Sequence, residues 1–347
     1  MSASSDFATG TAASAAVAVA DEGAKAGGGR GQTRPPSRTS RSRGRGIGWR
    51  GRFEVALLTG PALIIFISFV ILPVVLAAWF GFYRWKGYGM PSDFIGLDNY
   101  RWILEDKKFL AALSHNGFVL GVSLATQGVV ALGMALLLNR KIRFRSVIRV
   151  LIFAPYVISE AIVGTGWRLL MQPNGAFSNI MDALGLDGLA HTWWLGDKAI
   201  APWTMMMIVT WKYVGFYIIL FLAGMQGIPE ELYEAAAIDG CSYWRMQLKI
   251  TLPLLSPTIK IWGFLTIIGS MQFFDLVYIM WGPTAEHTGV STVATYIRYE
   301  GSEANAYGYG SAAAVILFII TFTLAILYQK FIMNRGVENP VAPRRGR

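Results

Sequence analysis

Three ionisable residues fall inside stretches that are otherwise apolar: Glu160, Lys212 and Asp275. A charge within a bilayer is costly, so such groups act by default as ion-pair partners or as contacts on a substrate or ion path. Glu160 and Lys212 lie in neighbouring apolar runs and are placed to pair. That pair either braces a helix bundle or lines a path through it. Asp275 has Gln272 and Tyr278 at three residues on either side, which puts all three on roughly one helical face. Hydrogen-bonding groups beside an aromatic ring can hold a polar ligand that also offers an apolar face, although helix packing explains the face nearly as well. Gly117 and Gly121 form a small-xxx-small pair, read as a close helix crossing rather than as chemistry. Other chemistries find no support. His115, His191 and His287 are far apart with no metal-ligand spacing, and the single cysteine, Cys241, rules out an intrachain disulfide. No Gly-Lys dipeptide occurs, so there is no phosphate-binding P-loop.

A second concentration of chemistry lies in "IPEELYEAAAIDGCSYWRMQLKITLPLL", residues 228–255. Its acids come first (Glu230, Glu231, Glu234, Asp239) and its bases after (Arg245, Lys249). Its apolar residues have helical spacing but are too sparse for a bilayer. Pro229 with Glu230 and Glu231 marks a helix start, with acids at the positive end of the dipole. Ala235, Ala236 and Ala237 make a small-residue surface that a partner can approach closely. Gly240 suits the left-handed residue that ends a helix, and Ser242 suits the cap of a second one. Pro253 and Pro257 end that second helix. The expectation is a helix–Gly–helix elbow parallel to the membrane. It serves either as a docking surface or as an amphipathic loop lying on lipid.

The elements that position these residues are legible from composition. The chain has 347 residues, of which 54% are hydrophobic and 15% charged, against about 25% charged in a soluble domain. The apolar residues gather in runs of about 20, enough to cross a ~30 Å hydrocarbon core. Six spans are expected, at about 55–80, 111–138, 147–170, 201–224, 257–281 and 310–333. Placing both termini inside puts 22 of the 31 Lys and Arg on inside segments and eight outside, with Lys212 in a span. The positive-inside rule selects that orientation. Trp79, Tyr83 and Trp85 after the first span, and Trp193, Trp194 and Trp203 before the fourth, suit interfacial belts. The outer segment 171–200 carries turn residues Pro173-Asn174-Gly175 and a short helix near 177–184. Residues 1–53 are rich in Ala, Gly, Ser, Arg and Pro, cannot bury a core and read as a disordered basic tail. Their charge suits orientation or contact with anionic lipid, not nucleic acid, because most other bases flank spans. A cleaved signal peptide is not expected, since the first apolar run begins some fifty residues in.

Within 228–255 the spacing becomes specific. Glu234-Ala235-Ala236, then Gly240, Ile250, Leu252 and Pro253, match at every interval the signature of the EAA loop of bacterial ABC importer permeases. The wording "IPEELYEAAAIDG" resembles the carbohydrate-uptake branch. So do "DFIGLDNY" at 93–100, "WWLGDKAIAPW", "WKYVGF" and "GPTAEHTGVSTVATYI", with Trp281-Gly282-Pro283 where that branch usually has Gly-Gly-Pro. The resemblance covers about 54–335 and is nearest to the maltose-transporter type. It implies an all-α integral membrane protein with six transmembrane helices, N-in and C-in, in the type I importer permease fold. Its parts would be a tail (1–53), a first transmembrane helix and outer loop (54–110), the transmembrane type-1 domain (111–333) and a cytoplasmic C-terminal tail (334–347). It implies a multi-pass protein of a bacterial plasma membrane whose partners are a second permease, a dimeric ATP-binding cassette ATPase and an extracytoplasmic sugar-binding protein.

The resemblance further implies that Glu234, Ala235, Ala236, Asp239, Gly240, Leu252 and Pro253 form the coupling element seated on the ATPase. Glu234 would meet a basic residue of that subunit. ATP and Mg would be bound by the ATPase, with no cofactor in this chain, and Gln272, Asp275 and Tyr278 are candidates for the sugar path. Two other classes of membrane protein predict different features. A secondary transporter predicts internal repeats with broken helices, and no repeat is visible. A membrane enzyme needs a catalytic cluster of His, Asp and Glu near one interface, and the sequence offers none.

Overall fold

The computed structural model describes residues 49–140 and 143–334. Both expected tails fall almost wholly outside these residues. Among the described residues there are helices and no strands, only an isolated bridge between Tyr83 and Phe94. The chain divides between Gly60 and Pro61 into two units. The described residues of the first, 49–60, are helical, with Phe53, Val55, Leu57 and Leu58 exposed.

The helices are α1 (Phe53–Phe80), α2 (Asp98–Glu105), α3 (Lys107–Leu138), α4 (Arg145–Val157), α5 (Glu160–Leu170), α6 (Ala176–Ala183), α7 (Asp187–Ala190), α8 (Ala201–Gln226), α9 (Glu230–Ile238), α10 (Tyr243–Leu254), α11 (Ser256–Met271), α12 (Asp275–Trp281), α13 (Val293–Arg298) and α14 (Tyr307–Met333). Four of them, α1, α3, α8 and α14, are long and apolar enough to cross a membrane alone. The count rises to six if the bent pairs α4–α5 and α10–α11 each make one span. Exposed Ile64, Phe69 and Val75 on α1 suit hydrocarbon as the surrounding solvent.

Helix α8 is the axis of the second unit. It packs on α3 through Tyr217, Ile218, Phe221 and Leu222 against Ala131, Ala135 and Leu138. Its other end packs Met205, Met206, Ile208 and Val209 with α5 and α12. A third cluster joins α2, α3, α13 and α14 around Phe109, Tyr296 and Ala312. Small residues allow the close crossings, as bilayer packing requires. A Cβ at Gly215 would lie 2.2 Å from the Ile152 carbonyl of α4, and one at Gly128 would lie 2.4 Å from the Trp262 ring of α11. Gly117 and Gly121 do not do this: both face outward, and a Cβ at either meets nothing of this chain within 4 Å. The close crossing is made instead about two turns beyond Gly121, at Gly128.

Two expected spans are broken. The third turns by 92° between α4 and α5. Pro155 removes one backbone donor, Ile158 and Ser159 are extended, and the Ser159 hydroxyl caps α5 by accepting from the Ile162 N–H at 3.4 Å. The expected fifth span stops at Met271 and resumes as α12. A break inside a bilayer leaves carbonyls that need donors, and each break here has one. Lys212, 2% exposed, donates to the Ile158 carbonyl at 2.7 Å and to that of Pro155 at 3.4 Å. Buried Asn116 donates to the Ser270 carbonyl at 2.6 Å and accepts from the Val293 N–H at 2.9 Å, while the Thr292 hydroxyl donates to the Phe273 carbonyl at 2.7 Å.

Candidate functional site

The Glu160–Lys212 pairing expected from the sequence forms at the first break. Lys212 Nζ lies 3.5 Å from Glu160 Oε1, which also accepts from the Tyr213 hydroxyl at 2.6 Å. Glu160 is in the first turn of α5, at the positive end of its dipole, and Lys212 sits on the last carbonyls of α4. One buried cation thus serves two helix ends.

Beside this pair lies a cavity of about 100 Å³ among α3, α8 and α11. Each helix contributes two polar residues four apart: Ser123 and Gln127, Tyr213 and Tyr217, Thr266 and Ser270. Spacing of four puts each pair on one face. Phe273, at the second break, completes the wall. Ser123–Gln127 is a π-helical turn, a feature that often marks functional positions in helices. Gln127, Thr266 and Ser123 are almost fully buried. Hydroxyls, an amide and aromatic faces at this depth can hydrogen-bond a polyhydroxylated molecule and stack on its C–H faces.

Gln272, Asp275 and Tyr278 do not share a continuous helix. Gln272 ends α11 and is exposed, whereas Asp275 begins α12 and is also exposed. Tyr278 stacks on Phe274, donates to Glu303 Oε1 at 3.4 Å and lies under the Arg298 guanidinium. Nearby, the Asp106 carboxylate accepts from the hydroxyls of Tyr296 and Tyr309. Burial first, and then Asp106, push the Tyr296 phenol far above its ordinary range, so it stays a donor.

The helix–Gly–helix elbow forms, with three changes of detail. Helix α9 has no buried residue, and Ile238, Glu234, Ala235, Asp239 and Gly240 are exposed. Pro229 is the N-cap rather than a first-turn residue. Gly240 has φ +71°. Its N–H bonds the Ala237 carbonyl, and the Cys241 N–H reaches back to Ala236. This is the Schellman arrangement that glycine permits. Ser242 takes the N-cap backbone conformation of α10 but makes no side-chain cap bond. Leu252 and Pro253 stand at the far end of α10, where the chain bends 65° into α11. Pro253 lies within α10, one residue before its end. The elbow is tied to the bundle by residues the sequence reading passed over. The Tyr243 hydroxyl donates to the Leu136 carbonyl of α3 at 3.3 Å and Arg140 stacks on its ring at 3.8 Å, while within the elbow Tyr233 of α9 bonds Thr251 of α10. The polar pairs at intervals of four were visible signals, and so was Pro155. Asn116 had no local signal, because its partners are distant in sequence.

Residues 127–337 match the family described as binding-protein-dependent transport system inner membrane component. The chain is 32% identical over 286 residues to the diacetylchitobiose uptake system permease protein NgcF of Streptomyces coelicolor, with 80% of each covered. It is 31% identical to the trehalose/maltose transport system permease protein MalF of Thermococcus litoralis, over 78% of this chain and 90% of that one. Its fold is similar to that in the crystal structure of a bacterial ABC transporter involved in the import of the acidic polysaccharide alginate. That match has a TM-score of 0.72 at 23% identity and covers 84% of this chain and 97% of that one.

Proposed function

The chain belongs to the binding-protein-dependent transport system inner membrane components, and from that premise we propose that it carries a sugar or oligosaccharide as the permease subunit of an ATP-driven importer. The observation that carries this is the similarity, over about four-fifths of the chain, to permeases named for diacetylchitobiose and for trehalose/maltose. It is a multi-pass membrane protein, placed by this reading in a bacterial plasma membrane. An extracytoplasmic binding protein delivers the sugar. A second permease supplies the facing half of the path, and a separate ATPase dimer binds ATP and Mg. Reconstituted with those subunits and a loaded binding protein, the chain should import sugar on ATP addition. Reconstituted alone it should give no uptake above empty vesicles, and robust uptake by the lone chain would overturn the reading.

In this reading the chain crosses six times with both ends inside. The tail (1–53), the first helix and outer loop (54–110), the transmembrane type-1 domain (111–333) and the C-terminal tail (334–347) are its parts. The lysine and arginine distribution supports the orientation. A cysteine at Ser302 should react with an impermeant maleimide in intact cells, and native Cys241 should not. The opposite labelling reverses the topology.

The polar cavity is the substrate's deep site, and Gln272, Asp275 and Tyr278 form the outer stretch of the path. At about 100 Å³ the cavity is below the ~300 Å³ of ordinary ligand sites, so loading requires α3, α8 and α11 to part. Gln127→Leu or Thr266→Val removes a buried partner of a sugar hydroxyl and should slow uptake about tenfold or more. Asp275→Asn, at an exposed position, and Tyr278→Ala, at a half-buried one, should cost less. Wild-type uptake in Gln127→Leu makes the cavity a packing defect. Wild-type uptake in both outer variants returns that face to packing.

A further inference from the structure

The outer segment between α5 and α8, with the end of α12 behind it, brings three tryptophans to the Trp193–Gly196 turn. Trp194 is used internally: it packs edge-on against Phe177, and its Nε1 donates to the Leu189 carbonyl at 3.2 Å. Trp281 is used internally too. It is buried, and its Nε1 donates to the Leu195 carbonyl at 2.7 Å, pinning the Trp193–Gly196 turn from below. Trp193 alone is presented outward, at 62% exposure. Its indole lies on Gly196, where a Cβ would stand 2.1 Å from Cε2. The ring is therefore backed on one side by bare backbone and held by a turn whose Gly196 and Asp197 N–H groups bond its own carbonyl.

Trp193 also forms the shared wall of two open clefts. One, of about 220 Å³, is lined by Asn174, Asn179 and Asp182. The other, of about 430 Å³, is lined by Arg168, Gln172 and Thr288. A tryptophan serving only as an interfacial lipid anchor has an apolar surround on its membrane side. This one has a mixed surround, in which planar amides, a carboxylate and a guanidinium stand beside Pro173, Leu195 and Met280. A rigid aromatic face between such groups fits a pyranose: the ring's C–H face stacks, and the equatorial hydroxyls reach the planar polar groups on either side.

We propose that Trp193 is the floor of a saccharide subsite on the outer segment, distinct from the bundle cavity, holding one pyranose ring of the sugar in transit. This rests on the sugar-permease reading. The site is built by the turn, with Gly196 leaving room for the ring and Trp281 fixing the turn's height.

The test uses the complete transporter in nanodiscs without binding protein, with maltotriose and N,N'-diacetylchitobiose as probes in saturation-transfer NMR. Trp193→Ala should weaken probe binding about five- to tenfold, the size of one lost stacking contact. Trp193→Tyr should keep most of it, and Gly196→Ala, which displaces the indole, should behave like Trp193→Ala. The ATPase and the second permease should co-purify with all three variants in wild-type amounts, which shows intact assembly. Equal binding in wild type and Trp193→Ala overturns the subsite, as does absence of probe signal in a wild-type transporter that imports sugar. A transporter that imports no sugar with its binding protein overturns the permease reading and the subsite together.

Discussion

Lys212→Met is expected to destabilise the assembled protein by about 3–5 kcal/mol, the usual cost of removing one member of a buried pair. Three things are lost at once. The carbonyls of Ile158 and Pro155 lose the donor that closes the end of α4. Glu160 loses its cation and keeps only the Tyr213 hydroxyl. Its Oε2 is already buried without a hydrogen-bond partner, so the remaining charge is poorly compensated. Glu160→Gln should be much milder. Lys212 then keeps both carbonyls, and an amide oxygen can still accept from Tyr213. The double variant should recover part of the Lys212→Met loss, because the orphaned carboxylate is gone while the uncapped helix end remains. Thermal unfolding of the purified complex, compared across the four proteins, measures this. Additive losses in the double variant would show that the pair is not coupled, and an unchanged midpoint in Lys212→Met would show that water replaces the ammonium.

That pair marks the boundary between what the sequence discloses and what it hides. Its existence was legible, since two opposite charges stood in adjacent apolar runs. Its work was not, because the 92° turn that it closes cannot be seen by averaging hydropathy over about 20 residues. The same averaging joined α11 to α12 across a break whose donors, Asn116 and Thr292, come from other elements. With the helix interrupted, the face inferred for Gln272, Asp275 and Tyr278 lost its geometric basis. The polar pairs of the cavity were open to view in the sequence, but a serine or a threonine in an apolar run carries little weight until three helices bring six such residues together. Gly117 and Gly121 fail in the opposite sense: the motif is present, and within this chain nothing approaches it. The elbow was the most legible element, because every signal in it is local. A proline, two acids, three alanines and a glycine fix its first helix and its end without help from distant residues.

For that reason the elbow gives the clearest functional experiment. Glu234→Lys and Gly240→Val should each abolish sugar-stimulated ATP hydrolysis and uptake while leaving membrane insertion intact. Neither residue supports the bundle: Glu234 is exposed on a helix with nothing buried, and a Cβ at Gly240 would meet no atom of this chain within 4 Å. Any loss must therefore come from a partner or from the backbone. If α9 seats on the ATPase, as the coupling reading has it, the loss at Glu234 comes from that partner, where removing one member of a charge pair in a desolvated groove costs about 2–5 kcal/mol. At Gly240 it comes from the backbone. Its φ of +71° penalises a side chain by about 1–2 kcal/mol, and more for a β-branched one. Relief of that strain breaks the bonds from Gly240 and Cys241 back to Ala237 and Ala236 and swings α10 away from α9. The complex should be purified through a tag on this chain, with co-purified ATPase, its stimulation and uptake measured for each variant. Full retention of all three in both variants ends the assignment of Glu234, Ala235, Ala236, Asp239 and Gly240 to coupling. Loss in Glu234→Lys alone confines the contact to the charge and leaves the angle between the two helices free to vary.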